Sequence, residues 1–516
     1  MKLANRFQEV VIRTGPYQPF RAVYAASYGV ALRWLMGRLK REPEIQSVDL
    51  CQPRGRRCFG SSDLDLRAQT IALSAPAYFA LADRFSDILL AERSWLRIFD
   101  LHLGTPAELE LHRRLASQWY NRGDRWSRLH GAGKPAADAP GPRNAYLGRI
   151  MHDYGYICRD LFERTLDLGA VRLIYKKVMQ IHQETEGRLT ARSATAALSS
   201  PILETAAAAA LEGRVRPASF DDLARAQAFA LSELTSLCRE SRDETYPEEG
   251  EPALVDETLA PETLQVAVDS CRPAIAAFCA SLGGSVRSAI LGAVPGCSYE
   301  YRIYLIVPDD LDGAGQLDLC RGIRELFTSR RAYQRIPSSY FRLRYPTLLT
   351  HSAWRAKSRW YDSLRPVEEC YYIERHGVVL WGEDLRHDGP RPVRQAVLRS
   401  AAVAVADLRN RLWSALYLDQ PVRLADLIAG RIPALWLALE NLRIATSAAE
   451  ALSACGSNGF PHWEKLDMLR RRIAGLAPRD LPPVRDPSWQ PCVESLSDWL
   501  DGLNAMALRA SAREAG

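Results

Sequence analysis

The chain has 516 residues, of which 47% are hydrophobic and 25% charged, a balance that excludes a disordered or membrane-filling polypeptide. One hydrophobic core rarely serves that length, so roughly two to four domains are expected. The net charge of +6 is small, and it admits an anionic substrate such as a nucleoside triphosphate without demanding nucleic acid.

Eleven cysteines are scattered with no CxxC pair and no Cys/His run at zinc spacing, the pattern of reduced thiols rather than of a disulfide framework. The first residues, Met1 to Arg6, carry no apolar run after their charges, so no signal peptide is expected. No stretch reaches the apolar length of a membrane span, and a cytoplasmic protein without membrane contact is the expectation.

In chain order, Arg21 to Arg41 is predicted as an amphipathic helix with Tyr24, Tyr28, Ala31, Leu32, Leu35 and Leu39 on one side. Ile45 to Cys51 follows as a strand, then a basic turn, Pro53-Arg54-Gly55-Arg56-Arg57. The turn leads through Phe59 into Gly60-Ser61-Ser62-Asp63-Leu64-Asp65-Leu66. A helix from Pro76 to Arg93 and a strand from Trp95 to Leu103, ending at Gly104-Thr105-Pro106, complete a small α/β unit. Gly131 to Arg143 is rich in Ala, Gly and Pro and marks a linker. Tyr146 to Glu186 and Leu203 to Arg242 are helical by period, and the acidic stretch Glu244 to Glu257 is the main expected boundary. The second half opens with a helix from Pro261 to Leu282 and ends in helices from Arg394 onward. The expected division is a core over residues 1–130, helices over 144–243, a second α/β unit over 258–390 and helices over 391–516.

The halves look related. Ile45–Cys51 aligns with Val286–Gly292, Ser62–Leu66 with Ser298–Arg302, Leu96–Leu101 with Phe341–Pro346, and Gln118–Asn121 with Arg359–Asp362. In this alignment Asp63, Asp65 and Asp100 fall opposite Tyr299, Tyr301 and Tyr345, so the second copy is expected to be degenerate.

Asp63 and Asp65 are spaced i and i+2, which on a strand sends both carboxylates to one face and Leu64 and Leu66 to the other. Two same-face carboxylates, with Asp100 on a neighbouring strand, form an oxygen-ligand set suited to a pair of Mg²⁺ or Mn²⁺ ions. Asp100 is also placed to take a proton from an acceptor hydroxyl. Gly60, Ser61 and Ser62 offer close backbone approach and hydroxyl donors to phosphate, and Arg54, Arg56 and Arg57 offer charge.

The bland alternatives are concrete. Asp63 and Asp65 also suit a solvated edge strand, Asp100 a strand-end cap, and the arginines a solvated loop. His102 suits a half-buried structural role, and Asp309-Asp310 and Glu383-Asp384 suit turns. Trp354, Trp360, Tyr361, Tyr371 and Tyr372, interleaved with Arg355, Lys357 and Arg359, suit either base stacking or core packing.

Ser62-Asp63-Leu64-Asp65-Leu66 and the later strand aspartate Asp100 resemble the DNA polymerase β-like nucleotidyltransferase superfamily, over roughly the first quarter of the chain. The resemblance implies an α+β fold: a small mixed-sheet nucleotidyltransferase core followed by a helical domain, here repeated as a degenerate second half with C-terminal helices. It implies metal ligation by Asp63, Asp65 and Asp100 and triphosphate contact near Ser61 and Ser62. It also implies transfer of a nucleoside monophosphate, from ATP in the leading reading, to an acceptor hydroxyl on a small molecule or protein. The chain departs from the pattern where a Gly-Ser pair usually follows the first strand, since Cys51-Gln52 stands there. Two other classes remain open at this point: a nucleotide-sensing or scaffold protein with an inactive second copy, and a metal-dependent glycosyltransferase using Asp63-Leu64-Asp65.

Overall fold

The computed structural model describes residues 3–52, 57–60, 63–90, 98–115, 126–133, 145–162, 166–186, 201–240, 254–255, 264–293, 300–329, 342–343, 345–356, 373–389, 401–402, 404–441, 443–444, 453, 455–456, 460–473, 476 and 480–513. Helices α1 (Leu3–Thr14) and α2 (Phe20–Leu39) lead into strands β1 (Ile45–Cys51) and β2 (Leu64–Thr70). Helices α3 (Ala75–Arg84) and α4 (Ser86–Leu89) connect to β3 (Phe99–Gly104), and α5 (Pro106–Leu115) precedes β4 (Trp126–His130). The helix expected over Pro76–Arg93 is thus two helices broken at Phe85.

Within the first sheet, β2 shows why the sequence alternates as it does. Leu64, Leu66 and Ala68 are buried against α2 and α3 in one cluster with Val48, Leu50, Leu101 and Leu103. Asp65, Arg67 and Gln69 take the opposite face, the only outcome a period of two allows. The sheet order is β3-β2-β1-β4, with β2 parallel to β3 and antiparallel to β1, and β1 antiparallel to β4. α5 starts on a reciprocal cap: the Thr105 N–H donates to Glu108 Oε2 at 2.9 Å, and Pro106 occupies the first helical turn, where its missing N–H costs nothing.

The middle of the chain is helical: α6 (Ala145–Phe162), α7 (Leu168–Glu186), α8 (Pro201–Ala210) and α9 (Phe220–Glu240). After the short strand β5 (Leu254–Val255) come α10 (Leu264–Ser281), β6 (Ser288–Ala293), β7 (Glu300–Val307), α11 (Gly313–Ser329), β8 (Arg342–Leu343), β9 (Thr347–Thr350), α12 (His351–Arg355) and β10 (Val378–Gly382). The second sheet is ordered β10-β6-β7-β8, with β9 also paired to β7. β7 runs antiparallel to β6 and parallel to β8 and β9, and β10 runs antiparallel to β6. The path β10-β6-β7-β8 thus repeats the order, sense and chain sequence of β4-β1-β2-β3, while β9 is an additional strand of the second sheet. The expected linkers at 131–143 and 244–257 lie largely outside the described residues.

The alignment needs one correction. Tyr301 is fully buried, whereas the next residue, Arg302, is half-buried. Matching the buried Leu64 and half-buried Asp65 of β2 to this alternation puts Arg302, not Tyr301, at the Asp65 position. Residue 299 lies outside the described set, and the Tyr345 ring sits against the Arg302 guanidinium at 5.4 Å. Sequence similarity alone could not resolve a one-residue slip; the in–out alternation does.

The middle helices and the second sheet share one hydrophobic cluster, tied by buried polar contacts. Tyr154 Oη donates to the Leu348 carbonyl at 2.6 Å, and the hydroxyls of Thr235 and Thr350 lie 2.7 Å apart. The C-terminal helices are α13 (Leu408–Tyr417), α14 (Pro421–Ala425), a π-turn over Asp426–Arg431, α15 (Ile432–Asn441), α16 (Trp463–Ile473) and α17 (Gln490–Arg513); β11 (Arg443–Ile444) pairs with β5. They form their own cluster, joined by Ala75 and Leu111 of the first unit. No described helix is long and apolar enough to cross a membrane.

Candidate functional site

β2 and β3 run parallel in a register that places Asp65 directly beside Asp100, with Asp63 two residues earlier on the same face. The three carboxylates converge: one oxygen from each lies within 4.8 Å of the others. β2 lies between β1 and β3, so it is not an edge strand, and its two carboxylates gather with Asp100 on one face. Asp65 and Asp100 are half-buried, and Asp63 is exposed at the mouth of the cluster although protein atoms crowd its surroundings.

Protein crowding first, and the Asp65 charge second, push the Asp63 carboxyl above its ordinary value. Lys176 and Arg172 pull it the other way. Both belong to α7, one helical turn apart, and so share a face. Arg172 is buried and also reaches the Cys58 thiol. Burial, then the Arg172 and Lys177 charges, lower Lys176 to about 8, while Asp63 and Asp65 hold it up. Lys177 is occupied differently: its Nζ lies 2.6 Å from Asp153 Oδ1. A negative cluster on the sheet thus faces a positive pair on a helix of the next unit.

Arg57 is half-buried at the same site, and its Nη1 donates to the Asp63 carbonyl at 3.2 Å. Its guanidinium lies 5.7 Å from the Tyr28 ring centre. Burial pulls the Arg57 pKa down, and Tyr28, Asp65 and Asp63 oppose that shift. Gly60 adopts φ +82°, a conformation that favours glycine, and a Cβ there would meet Val11 and the Gln8 carbonyl at 3.1 Å. Its N–H donates to Tyr28 Oη at 3.3 Å, and its carbonyl accepts from Gln8 Nε2 at 2.6 Å. With Cys58 and Phe59 buried beside it, the turn at 57–60 is clamped among α1, α2 and the middle helices. Gly60 is therefore spoken for structurally, whereas Arg57 borders the triad. Arg54, Arg56, Ser61 and Ser62 lie outside the described residues.

Behind the triad, on the same face, Asp49 of β1 is buried between Arg67 of β2 and Arg128 of β4. The pairing registers place Asp49 opposite each arginine, and Arg67 packs on the Trp126 ring at 4.4 Å. This ion-paired floor fixes β2 two residues from Asp65. Sequence patterning alone does not single out this floor, nor Lys176 and Arg172. The available signals were a lone carboxylate inside the apolar strand Val48-Asp49-Leu50 and a basic i, i+4 pair in Arg172-Leu173-Ile174-Tyr175-Lys176.

Other candidates resolve as structural. His102 is half-buried next to Arg67, and burial lowers its pKa. Asp309 sits in a turn and accepts from the Ser352 N–H at 2.7 Å. Glu383 pairs with Arg287 and Asp384 with Arg386. Trp354 is fully buried, with Nε1 donating to the Leu385 carbonyl at 2.7 Å, so it stacks on no base. Arg355 lies beside Asp388 at 3.3 Å, while Lys357, Arg359, Trp360, Tyr361, Tyr371 and Tyr372 fall outside the described residues. No family model, curated protein or solved structure matches the chain.

Proposed function

We propose that the chain is a metal-dependent nucleotidyltransferase, moving a nucleoside monophosphate from a nucleoside triphosphate, ATP in the leading case, to an acceptor hydroxyl on a small molecule or protein. The observation that carries the reading is the convergence of Asp63, Asp65 and Asp100 opposite Lys176 and Arg172. An all-oxygen donor set suits Mg²⁺ or Mn²⁺, and a cation there would offset the mutual repulsion of three carboxylates whose oxygens lie within 4.8 Å of one another. When bound, such ions neutralise triphosphate oxygens and make an acceptor hydroxyl easier to ionise.

The chain's own groups divide the remaining work. Lys176 and Arg57, positive and near the carboxylates, would hold the polyphosphate and favour departure of pyrophosphate. Arg172, buried between Cys58 and the triad, keeps the α7 face positive. Asp100, on the edge strand of the sheet, is the proposed recipient of the acceptor's proton. The second sheet carries Arg302 at the Asp65 position, which favours a non-catalytic second half and one active site per chain.

The test is consumption of each labelled nucleoside triphosphate in cell extract with Mg²⁺ or Mn²⁺, comparing wild type with the Asp63→Ala, Asp65→Ala double variant. Metal-dependent pyrophosphate release by the wild type alone supports the proposal. Equal behaviour of the two proteins, or consumption of sugar nucleotides only, overturns it. Tight nucleotide binding without turnover selects the sensing alternative.

A further inference from the structure

Helix α2 has two apolar faces, and among the described residues one is buried while the other keeps much of its apolar surface exposed. Leu35, Met36 and Leu39 are buried in the core of the first unit, with Tyr28, Ala31 and Leu32 packed against it. On the other side Phe20, Val23, Val30 and Trp34 are 48%, 58%, 58% and 39% exposed. Among the described residues, seven of the thirteen exposed large hydrophobic side chains lie between residues 7 and 34, so the N-terminal helices hold the main apolar surface. Scattered exposed apolar residues are ordinary; a concentrated set on one helix is not.

The spacing on α2 is specific. Phe20, Val23, Ser27, Val30 and Trp34 follow one another at intervals of three, four, three and four. That is a narrow seam of two heptads, the pattern by which one helix receives another, rather than the broader stripe of a helix lying on a sheet. Ser27 at its centre is small, and its hydroxyl already donates to the Val23 carbonyl at 2.9 Å, so it presents no unsatisfied donor to an apolar partner. Charge then narrows the partner. Among the described residues of 6–41, every exposed charged side chain is basic: Arg6, Arg13, Arg33, Lys40 and Arg41. A second copy would set this basic surface against its own like, whereas an acidic helix would meet it with opposite charge.

We infer that the outer face of α2 is a docking site for an acidic amphipathic helix of another protein, with apolar residues at heptad spacing and Glu or Asp on its flanks. The inner face of α2 carries Tyr28, which takes the Gly60 N–H and lies against Arg57, so a docked partner and the turn that borders the triad sit on opposite faces of one helix. The inference stands on α2 alone and does not depend on the metal reading.

The experiment uses the full chain and a fluorescein-labelled synthetic helix of four heptads, with Leu at the core positions and Glu beside them. Glu–Glu repulsion keeps such a peptide from pairing with itself. Anisotropy should report saturable binding at low salt, weakened at least tenfold by Val23→Glu or Val30→Glu and by replacing the peptide's Glu with Lys. The Asp63→Ala, Asp65→Ala variant should bind the peptide as wild type does. Because Val23 and Val30 are exposed, circular dichroism of both variants should match wild type. Absence of binding, or binding indifferent to Val30→Glu, overturns the inference. So does concentration-dependent dimerisation abolished by Val30→Glu, which identifies a second copy, or Val30-dependent binding to phosphatidylserine vesicles without peptide binding, which identifies a lipid surface.

Discussion

Neutralising Asp65 should make the metal-free protein more stable and the metal-loaded protein relatively less so. Asp65 has two like-charged neighbours, Asp63 and Asp100, each with an oxygen inside 4.8 Å. At that separation a pair of unit charges costs about 1 kcal/mol in water and about 3–4 kcal/mol at an effective dielectric of 20. The solvent-facing edge of Asp63 and the attraction of Asp65 to Arg57 and Lys176 both reduce the net repulsion. Asp65→Asn is therefore expected to stabilise the protein by roughly 1–3 kcal/mol in chelator, a rise of a few degrees in the melting of this unit. Metal present at a hundred times its dissociation constant should stabilise wild type by about 2.7 kcal/mol, and the variant by much less. The assay is thermal or urea unfolding of both proteins in EDTA and in millimolar Mg²⁺ or Mn²⁺. The variant's advantage in EDTA should shrink by about 2 kcal/mol or more, or reverse, in the metal condition. A variant that melts below wild type in EDTA, or that keeps the full metal response, would refute the electrostatic reasoning.

Lys176→Met should lower kcat/KM by roughly 10- to 100-fold, the loss of one charge-assisted contact worth about 1.5–3 kcal/mol, and a change under twofold in steady-state kinetics would remove Lys176 from the substrate. Asp49→Asn strands two guanidiniums on the sheet floor, and the urea midpoint should fall by the equivalent of about 3–5 kcal/mol; a loss below about 1 kcal/mol would show the ion pairs to be dispensable. Glu108 is fully buried beside Arg409, and burial raises its carboxyl to about 7 against the partial relief given by Arg409. A raised pKa means the folded state holds the proton longer, so the Glu108 contribution is complete below the unfolded value of about 4.5 and is lost as pH rises through about 7. Unfolding midpoints measured across that window should decline less steeply in Glu108→Gln, and an unchanged slope would contradict the assignment.

Much of the first unit was readable because strand periodicity is a hard constraint. Ile45–Cys51 was bounded as found, and the i, i+2 spacing of Asp63 and Asp65 dictated a shared face. Asp100 needed a parallel register to reach them, and sequence spacing supplied only the plausibility of that register. Lys176 was hidden for a different reason: it comes from a helix more than a hundred residues along the chain, and only tertiary packing brings α7 to the triad. Gly60 carries a structural reason of its own, a left-handed turn packed against Val11, that a Gly-Ser pattern in sequence does not distinguish from a phosphate contact. The register between the two sheets is hard to read from sequence, since Ile303–Val307 is apolar and buried on both faces and Arg302 alone breaks the pattern.

The central claim is most directly tested by offering the protein ATP labelled separately on the α- and γ-phosphates, with Mn²⁺ and extract. The account predicts α-label on an acceptor and γ-label in pyrophosphate, with both lost in the Asp63→Ala, Asp65→Ala variant. Transfer of γ-label to the acceptor, release of γ-label as inorganic phosphate, or unchanged transfer by the variant would contradict it.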